Sequence, residues 1–300
     1  MIARVFPSRT RATPTDAYAF VGDPPLFLPP DIEEVHVSVT FSWDLREAER
    51  LAKAWEHIAT VKIGGPATGM RGEEFVSGRY VAPGYVITSR GCPNKCWFCS
   101  VWRREGQGVR ELPITDGYNV LDDNLIACSD AHQDEVMAML SKQRKRPVFT
   151  GGIEAARLTE PIARRLLSVR PDTIYLANDT PDDWPHIVRA VETFRDLGLD
   201  IQYHLRCYVI IGYPRDTYED ARRRLQATRD LGIFPLAMLW RHPDTGKPEP
   251  GNKSVGMWLD LQSQYVLPRK LRAAEIKAAG RFVDWIPRQE TLGAAEWGIK

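Results

Sequence analysis

The sequence predicts an α/β fold: a partial (β/α)6 barrel of the TIM type, with a small N-terminal αβ extension and a C-terminal cap. Three observations support this prediction. Six short apolar segments between residues 85 and 240 are separated by helical patterns, and this alternation is typical of βα units and a parallel sheet. Hydrophobic residues make up 43% of the 300-residue chain, which is enough to bury one large core. The residues before 81 and after 241 do not continue this regular alternation of strands and helices. A doubly wound sheet with the same element order is an alternative.

Residues 1–80 form the predicted N-terminal extension. Residues 1–30 are rich in Pro and Thr and predict an irregular arm. The remaining predicted elements are a strand at 35–41, a helix from Asp44 to about His57, and a strand at Val61–Ile63 that ends at Gly64-Gly65-Pro66. The extension is therefore predicted to be a β-α-β unit.

Residues 81–241 form the predicted barrel, and residues 242–300 form the predicted cap. The six predicted strands are Tyr85–Ser89, Tyr118–Leu121, Pro147–Thr150, Thr173–Ala177, Ile201–Ile211 and Ile233–Trp240. Helices are predicted near 132–143, 159–169, 185–197 and 217–230. In the cap, a loop rich in Pro, Gly and Lys precedes an amphipathic helix from Leu271 to Trp285.

The charge balance and the apolar pattern exclude several classes of protein. Lys and Arg number 40 against 39 Asp and Glu, so the net charge of +1 argues against binding nucleic acid by bulk electrostatics, although a local basic groove stays open. No apolar run approaches the length of a membrane span, and the start of the chain does not resemble a secretory signal. We therefore expect a cytoplasmic protein with no membrane partner.

Three of the five cysteines, Cys92, Cys96 and Cys99, lie close together directly after a predicted strand. Their spacing is C-x3-C-x2-C, and three thiolates on one loop can bind three irons of a [4Fe–4S] cluster. The fourth iron is then open to a small molecule, whereas Fe–S electron carriers commonly use four cysteines. A zinc site, which usually shows a second cysteine or histidine pair, and plain core cysteines are the alternatives. Cys128 and Cys207 are predicted to be buried small hydrophobic residues.

The chain resembles the radical S-adenosylmethionine (SAM) superfamily over about residues 84–241. The resemblance lies in the cysteine spacing, in its place after the first barrel strand, and in the aromatic Phe98 before the last cysteine. The resemblance implies that SAM chelates the open iron through its amino and carboxylate groups. It also implies that the reduced cluster cleaves SAM to a 5′-deoxyadenosyl radical, which abstracts hydrogen from a substrate in the barrel. A flavodoxin- or ferredoxin-type reductant is the implied partner.

The resemblance extends to segments that bind SAM in the superfamily. The glycines of Gly151-Gly152, followed by Glu154, resemble the Gly-Gly-Glu stretch that holds the SAM amino group, with the acidic residue one place late; an ordinary turn is the alternative. The stretch from Ile210 to Gly212 resembles the one whose backbone contacts the adenine. Asp122 and Asn124 follow the second strand, where barrel enzymes keep their sites, or they belong to a helix-capping turn.

Polar residues on the fifth predicted strand mark the candidate substrate site. Period-two alternation places His204, Arg206 and Tyr208 on one face, and such a row is costly inside a barrel unless it is paired or binds a ligand. We expect these three residues and Asp179, from the end of the fourth strand, to act on the substrate. An internal hydrogen-bond network is the alternative for the row, and a helix cap is the alternative for Asp179.

The N-terminal β-α-β unit before Gly64-Gly65-Pro66 resembles the tail of the cobalamin-binding domain that precedes the barrel in many members of the superfamily. The Asp-x-His-x-x-Gly motif of that domain is missing, and the extension at 1–80 is too short for it. We therefore expect no cobalamin.

The sequence indicates the substrate and the reaction subclass only in general terms. We expect a small-molecule or nucleotide-type substrate that fits the lumen. The polar lumen and the basic clusters at 142–146 and 222–224 make a modified nucleotide or nucleobase in DNA or RNA one candidate. Rearrangement or oxidation is the expected outcome of hydrogen abstraction. The rival classes are a non-catalytic Fe–S redox or sensing protein on the same scaffold and a zinc-stabilised binding module.

Overall fold

The computed structural model describes residues 1–69, 76, 78–242, 245–249 and 254–266, and these residues contain two parallel sheets and a short antiparallel ribbon. The N-terminal elements are β1 (Ile2–Phe6), β2 (Ala19–Val21), β3 (Glu34–Ser38), α1 (Leu45–Trp55) and β4 (Thr60–Gly64). The sheet order is β2-β1-β3-β4, with every pair parallel.

The predicted irregular arm at residues 1–30 is wrong, because this segment supplies two of the four N-terminal strands. The alternating residues Ala3 and Val5 are fully buried, so β1 has one apolar face and takes the centre of the sheet. Helix α1 covers that face with Leu51 and Trp55, which recur at helical spacing and share the same buried core. Prolines and threonines fall in the connections around the strands.

The larger parallel sheet contains six strands in the order β12-β11-β10-β9-β8-β5, so neighbours in the chain are neighbours in the sheet. Its strands are β5 (Gly84–Val86), β8 (Gly117–Val120), β9 (Val148–Phe149), β10 (Thr173–Ala177), β11 (Leu205–Ile211) and β12 (Phe234–Leu239). No pairing joins β5 to β12 among the described residues, so the sheet is an open barrel. The predicted fold class, a partial barrel of six βα units, is confirmed.

Helices cover the outer face of the larger sheet and enclose one continuous apolar core. They are α3 (Asp130–Ser141), α4 (Glu160–Ser168), α5 (Trp184–Asp196) and α7 (Tyr218–Asp230). Side-chain caps begin two of them: Ser129 Oγ accepts from the backbone N–H of His132, and Thr217 Oγ1 accepts from that of Asp220. Between β5 and β8 the chain forms β6 (Ser89–Arg90), α2 (Val101–Arg104) and β7 (Arg110–Glu111), and β6 pairs with β7.

The fifth predicted strand is too long. Ile201–His204 forms a single helical turn, α6, in which the backbone N–H of His204 donates to the carbonyl of Asp200 over 3.0 Å. Strand β11 begins at Leu205, which is its first residue paired with β10. The predicted alternation therefore extends over residues that have helical geometry.

The last described helix is α8 (Val255–Val266), which places Trp258 and Leu261 in the core beside β12. The predicted helix from Leu271 to Trp285 lies outside the described residues. Within the described part of the chain, no helix is both long enough and apolar enough to span a membrane.

Candidate functional site

A cavity of about 1440 Å³ lies where the carboxyl ends of both parallel sheets meet. The N-terminal sheet contributes Phe6, Ser38 and Gly64, and the larger sheet contributes Ala177 and Ile210. Ligands of parallel α/β sheets bind at this edge, because the connecting loops there can carry functional side chains. The volume exceeds the range of roughly 300–1,000 Å³ that is typical of small-molecule pockets, so the cavity has room for more than one ligand.

The loop between β6 and α2 carries Cys92, Cys96 and Cys99, and all three half-buried cysteines border this cavity. The ribbon β6–β7 closes the base of the loop. A turn within the loop is held by the Cys99 backbone N–H, which donates to the carbonyl of Cys96, and by Trp102 Nε1, which donates to the same oxygen over 3.0 Å. The local fold therefore directs a short loop with three thiols toward one wall of the cavity.

Burial disfavours the thiolate form of two of the three cysteines. Burial, with a contribution from the other two thiols, raises the pKa of Cys96 to about 11, and burial also raises the pKa of Cys99. Metal binding would displace these protons. Among the described residues, no three His, Cys, Asp or Glu side chains are gathered as ligands of one metal ion. The structure itself therefore does not confirm the iron–sulfur prediction.

Asp122 supports the cysteine loop from below. Its carboxylate accepts hydrogen bonds from the backbone N–H of Thr88 and from the hydroxyls of Thr88 and Ser89, directly before the loop. Burial raises the pKa of Asp122, and these hydrogen bonds oppose the shift. Asp122 borders the cavity, but its carboxylate is committed to the loop. The structure thus assigns this predicted cofactor residue a supporting contact.

Asn124 and Glu154 meet beside the first cysteine. The amide nitrogen of Asn124 donates to Glu154 Oε2 over 2.6 Å and lies 3.4 Å from Cys92 Sγ. The amide oxygen of Asn124 is buried and has no hydrogen-bond partner among the described residues. Glu154 also pairs with Arg157. An oxygen without a hydrogen-bond partner, next to a carboxylate, is suited to accept hydrogen bonds from the amino group of a ligand.

The two predicted SAM-binding glycines both border the cavity but differ in surroundings. A Cβ at Gly151 would overlap the carbonyl oxygen of Asp122, so the close approach of the β8 and β9 ends requires glycine there. Gly152 has a positive φ of 90° and open space around its Cβ position.

Phe98 and Ile210 also border the cavity, whereas Gly212 is not among the described residues that line it. The Phe98 ring packs edge-on against Trp97, with 5.2 Å between ring centroids. The backbone N–H of Ile210 donates to Asp179 Oδ1 and its carbonyl accepts from Arg224. At Gly212, a Cβ would meet Leu239 and Trp258, so this glycine packs against the core.

Asp179 and Tyr208 border the cavity from the ends of β10 and β11. Burial, with a contribution from the nearby Asp183, raises the pKa of Asp179 to about 7. The helix-capping role belongs to Asp183, whose carboxylate accepts from the backbone N–H and hydroxyl of Thr180. The Tyr208 hydroxyl donates to the carbonyl of Thr150 over 3.1 Å.

His204 and Arg206 are not brought to the cavity. His204 lies in α6, and its Nδ1 lies 2.7 Å from the carbonyl oxygen of Asp172. Arg206 donates to the carbonyl oxygens of Gln202 and Leu205 at the amino end of β11. Tyr208, the first residue of β11 that borders the cavity, lies two residues beyond Arg206, or about 7 Å at roughly 3.3 Å per residue. Their expected place in the lumen is therefore corrected: His204 precedes the strand, which starts later than predicted, and Arg206 lies at the amino end of the strand, away from the cavity.

Sequence reasoning missed the N-terminal wall of the cavity. Ser8, Thr40, His36 and Tyr80 border it, and none of them belongs to a recognisable motif. The alternation of Arg4 with the buried Ala3 and Val5 was the available signal for β1 and hence for this wall.

Comparisons with known proteins support the fold. No family model matches the chain, and no curated protein matches it. A solved structure that is similar is that of the radical S-adenosylmethionine methyltransferase TsrM from Kitasatospora setae, with cobalamin and a [4Fe-4S] cluster bound. The TM-score is 0.58 at 12% sequence identity, over 82% of this chain and 76% of that one. At this identity the likeness establishes the fold, which is the fold that the resemblance to radical SAM enzymes predicted.

The same comparison corrects the expectation that this chain binds no cobalamin. The similar structure contains cobalamin, and the shared fold covers more of this chain than the larger sheet alone. The expectation rested on a missing Asp-x-His-x-x-Gly motif and on a short N-terminal segment. Both are weak grounds, because a motif marks one mode of binding and because strands β1 to β4 form a complete parallel sheet.

Proposed function

We propose that this protein is a radical SAM enzyme whose [4Fe–4S] cluster is held by Cys92, Cys96 and Cys99. The observation that carries the proposal is the convergence of three features on one cavity. These are the three-cysteine loop, the Asn124–Glu154 pair beside Cys92, and the glycine turn after β9. Convergence at the carboxyl edge of an open parallel barrel is typical of an active site rather than of a structural metal site.

The position of each residue in the cavity indicates its proposed role. A reduced cluster on this loop would supply the electron that cleaves SAM and generates the 5′-deoxyadenosyl radical. Asn124 Oδ1 and Glu154 would accept hydrogen bonds from the N–H groups of the SAM amino group. Gly152 leaves room for a ligand against the backbone. Phe98 and Ile210 would contribute apolar contact that keeps water from the reacting atoms. Asp179 and Tyr208 would contact the substrate.

The expected reaction is hydrogen abstraction followed by rearrangement or oxidation. A second candidate is methyl transfer with cobalamin as a further cofactor. The size of the cavity and its second wall favour this candidate. The N-terminal edge includes several small residues, among them Ser38, Thr40 and Gly64, where a broad, flat ligand can approach the backbone. The similar structure named above is that of a methyltransferase with cobalamin bound.

The substrate we propose is a small molecule, because several members of the basic clusters that suggested a nucleotide make internal contacts. Arg146 donates to the carbonyls of Arg170 and Pro171, Lys145 lies over the Tyr118 ring, and Arg224 pairs with Asp216. A flavodoxin- or ferredoxin-type protein is the proposed reductant.

Anaerobic reconstitution tests the proposal. The chain is loaded with iron and sulfide, mixed with SAM and dithionite, and assayed for 5′-deoxyadenosine and methionine, with and without cobalamin. Cleavage of SAM that is lost in Cys96→Ala supports the enzyme. Cobalamin that stays bound through gel filtration, together with methyl transfer from labelled SAM to a product, favours the second candidate.

Each rival class has its own outcome in that experiment. A cluster-loaded protein that binds no SAM and cleaves none would identify a redox or sensing protein. Zinc without iron in anaerobically purified protein would identify a zinc-stabilised binding module. Either result would overturn the proposed function.

A further inference from the structure

The N-terminal wall of the cavity contains a chain of hydrogen-bonded titratable side chains that the proposed function does not use. His36, on β3, lies with Nδ1 2.6 Å from the Tyr80 hydroxyl and Nε2 2.8 Å from Glu34 Oε2. The rings of His36 and Tyr80 are nearly parallel, with an interplanar angle of 19°. Both rings border the cavity that the cysteine loop also borders.

The direction of the hydrogen bonds follows from the chemistry of the partners. Hydrogen bonds from His36 and from Lys62, whose Nζ lies 3.2 Å from Glu34 Oε1, lower the pKa of Glu34, so Glu34 is a carboxylate that can only accept. In its neutral form the imidazole of His36 carries its proton on Nε2, toward this carboxylate, which leaves Nδ1 to accept a hydrogen bond from the Tyr80 hydroxyl. In this arrangement a phenol donates a hydrogen bond to a base, and a carboxylate orients that base. The same arrangement is found in activated acid–base groups.

The fold holds the three groups in place. In the N-terminal sheet, His36 lies between Arg4 on β1 and Lys62 on β4 in register. Arg4 is an ion-pair partner of Asp16 and donates to the carbonyl of Arg79, which fixes the segment that carries Tyr80. The His36 side chain is only 12% exposed, so little of the imidazole contacts solvent. Arg4 and Lys62, the charged neighbours of His36 across the sheet, are thus already paired.

We propose that Tyr80, His36 and Glu34 form a proton relay that accepts a proton from an N–H or O–H group of the substrate. The relay rests on the proposed function, since it assigns a substrate class to the same cavity. In the step, the substrate X–H bond breaks and its electron pair stays on X. The proton moves to Tyr80 Oη as the phenolic proton moves to His36 Nδ1, which leaves an imidazolium beside the Glu34 carboxylate. Tyr80 is the catalytic residue, and His36 and Glu34 act through it.

Labelling of the full chain with an uncharged aryl sulfonyl fluoride tests the relay without iron, SAM or substrate. The reagent forms an S–O bond with a phenol as the S–F bond breaks, and it reacts fastest where a base takes the phenolic proton. Peptide mass spectrometry compares the rate at Tyr80 with that at Tyr203, which is 38% exposed and lies outside the cavity lining. We expect Tyr80 to react faster by roughly 10²-fold, the lower end of general acid–base effects.

Matched variants test whether His36 activates the Tyr80 hydroxyl or only lies beside it. His36→Gln keeps a hydrogen-bond acceptor but not a base, and it should reduce the Tyr80 rate to that of Tyr203. Glu34→Gln should give a smaller loss, and free imidazole should restore part of the rate in His36→Ala. Equal rates at Tyr80 and Tyr203 in the wild type, or no effect of His36→Gln in a folded variant, would overturn the relay. Selective Tyr80 labelling in a protein that never cleaves SAM would leave the relay standing and reject the proposed function alone.

Discussion

The two sheets that border the cavity differ in what their strand ends carry. The strands of the larger sheet are followed by side chains that are polar or ionisable, among them Cys92, Asn124, Glu154 and Asp179. The strands of the N-terminal sheet are followed mostly by small or uncharged residues, such as Ser8, Thr40 and Pro66. The first wall, here called the chemical wall, therefore carries the candidate cluster ligands. The second, here called the wall of shape, has mainly small groups at its strand ends, and the His36–Tyr80 pair lies beside them. A chemical wall can be recognised from residue types, whereas a wall of shape cannot.

The two walls are connected directly behind the cysteine loop. Arg104, in α2, donates to the carbonyl of Pro66 at the end of the N-terminal sheet and pairs with Asp123 of the larger unit. Asp123 also accepts from the backbone N–H of Gly91, next to the first cysteine. The cysteine loop is thus held from both sides, so a change in either wall can reach the candidate site.

Removing a cysteine should have the largest effect, because it breaks the chemical wall. We expect Cys92→Ala to lose iron on reconstitution and to reduce SAM cleavage to background, since one iron loses its protein ligand. Iron content per chain and 5′-deoxyadenosine formation measure the loss. Cys128→Ala is the matched control, because Cys128 is buried outside the cavity lining. Equal iron loading in both variants would contradict the assignment.

Breaking the wall of shape should cost stability instead. A Cβ at Gly65 would lie 2.5 Å from the carbonyl oxygen of Val39, and Gly65 has a φ of 112°. We expect Gly65→Ala to destabilise the protein by about 1–3 kcal/mol, as overpacking and backbone strain do. Gly64→Ala is the control, because nothing lies within 4 Å of its Cβ position. Urea unfolding compares them, and equal midpoints would show that the close approach is absent.

The buried carboxyl of Asp179 should make the chemical wall sensitive to pH. Its pKa is about 7 in the folded protein against an ordinary value of 3.8, so between these values the folded state holds a proton that the unfolded state has lost. Its contribution to stability is therefore complete below about pH 4 and is lost as the pH rises toward 7. Asp179→Asn should flatten the fall in unfolding free energy across that range, and the exposed Asp182→Asn should not. Parallel curves for wild type and Asp179→Asn would contradict the shift.

The smallest effect is expected at the amino end of the larger sheet, away from both walls. His204→Ala should leave SAM cleavage within roughly twofold, the range of substitutions far from a site. The reason is that His204 contacts the carbonyl of Asp172 and lies outside the cavity lining. A loss of tenfold or more in 5′-deoxyadenosine formation, with an unchanged melting temperature, would return His204 to the candidate site.

The predictable part of this molecule follows local rules. Strand β10 and helices α3 and α7 were predicted to within about two residues, because caps and apolar periodicity mark them. Most of the predicted site residues do border the cavity, since residues after parallel strands converge at one edge. Strands β1 and β2 escaped prediction because their short apolar alternation sits among prolines and threonines. His204 was misplaced because alternation alone does not locate the first paired residue of a strand.

Residue type, spacing and order along the chain were enough to establish the α/β class, the cysteine loop and the resemblance to radical SAM enzymes. Which groups face the same space depended on the folded chain. Folding joined Asn124 to Glu154 beside Cys92, turned the carboxylate of Asp122 toward the loop, and brought His36 and Tyr80 to the opposite wall. These contacts join residues that are far apart in the chain, and their distances depend on strand register and packing, which no local pattern encodes.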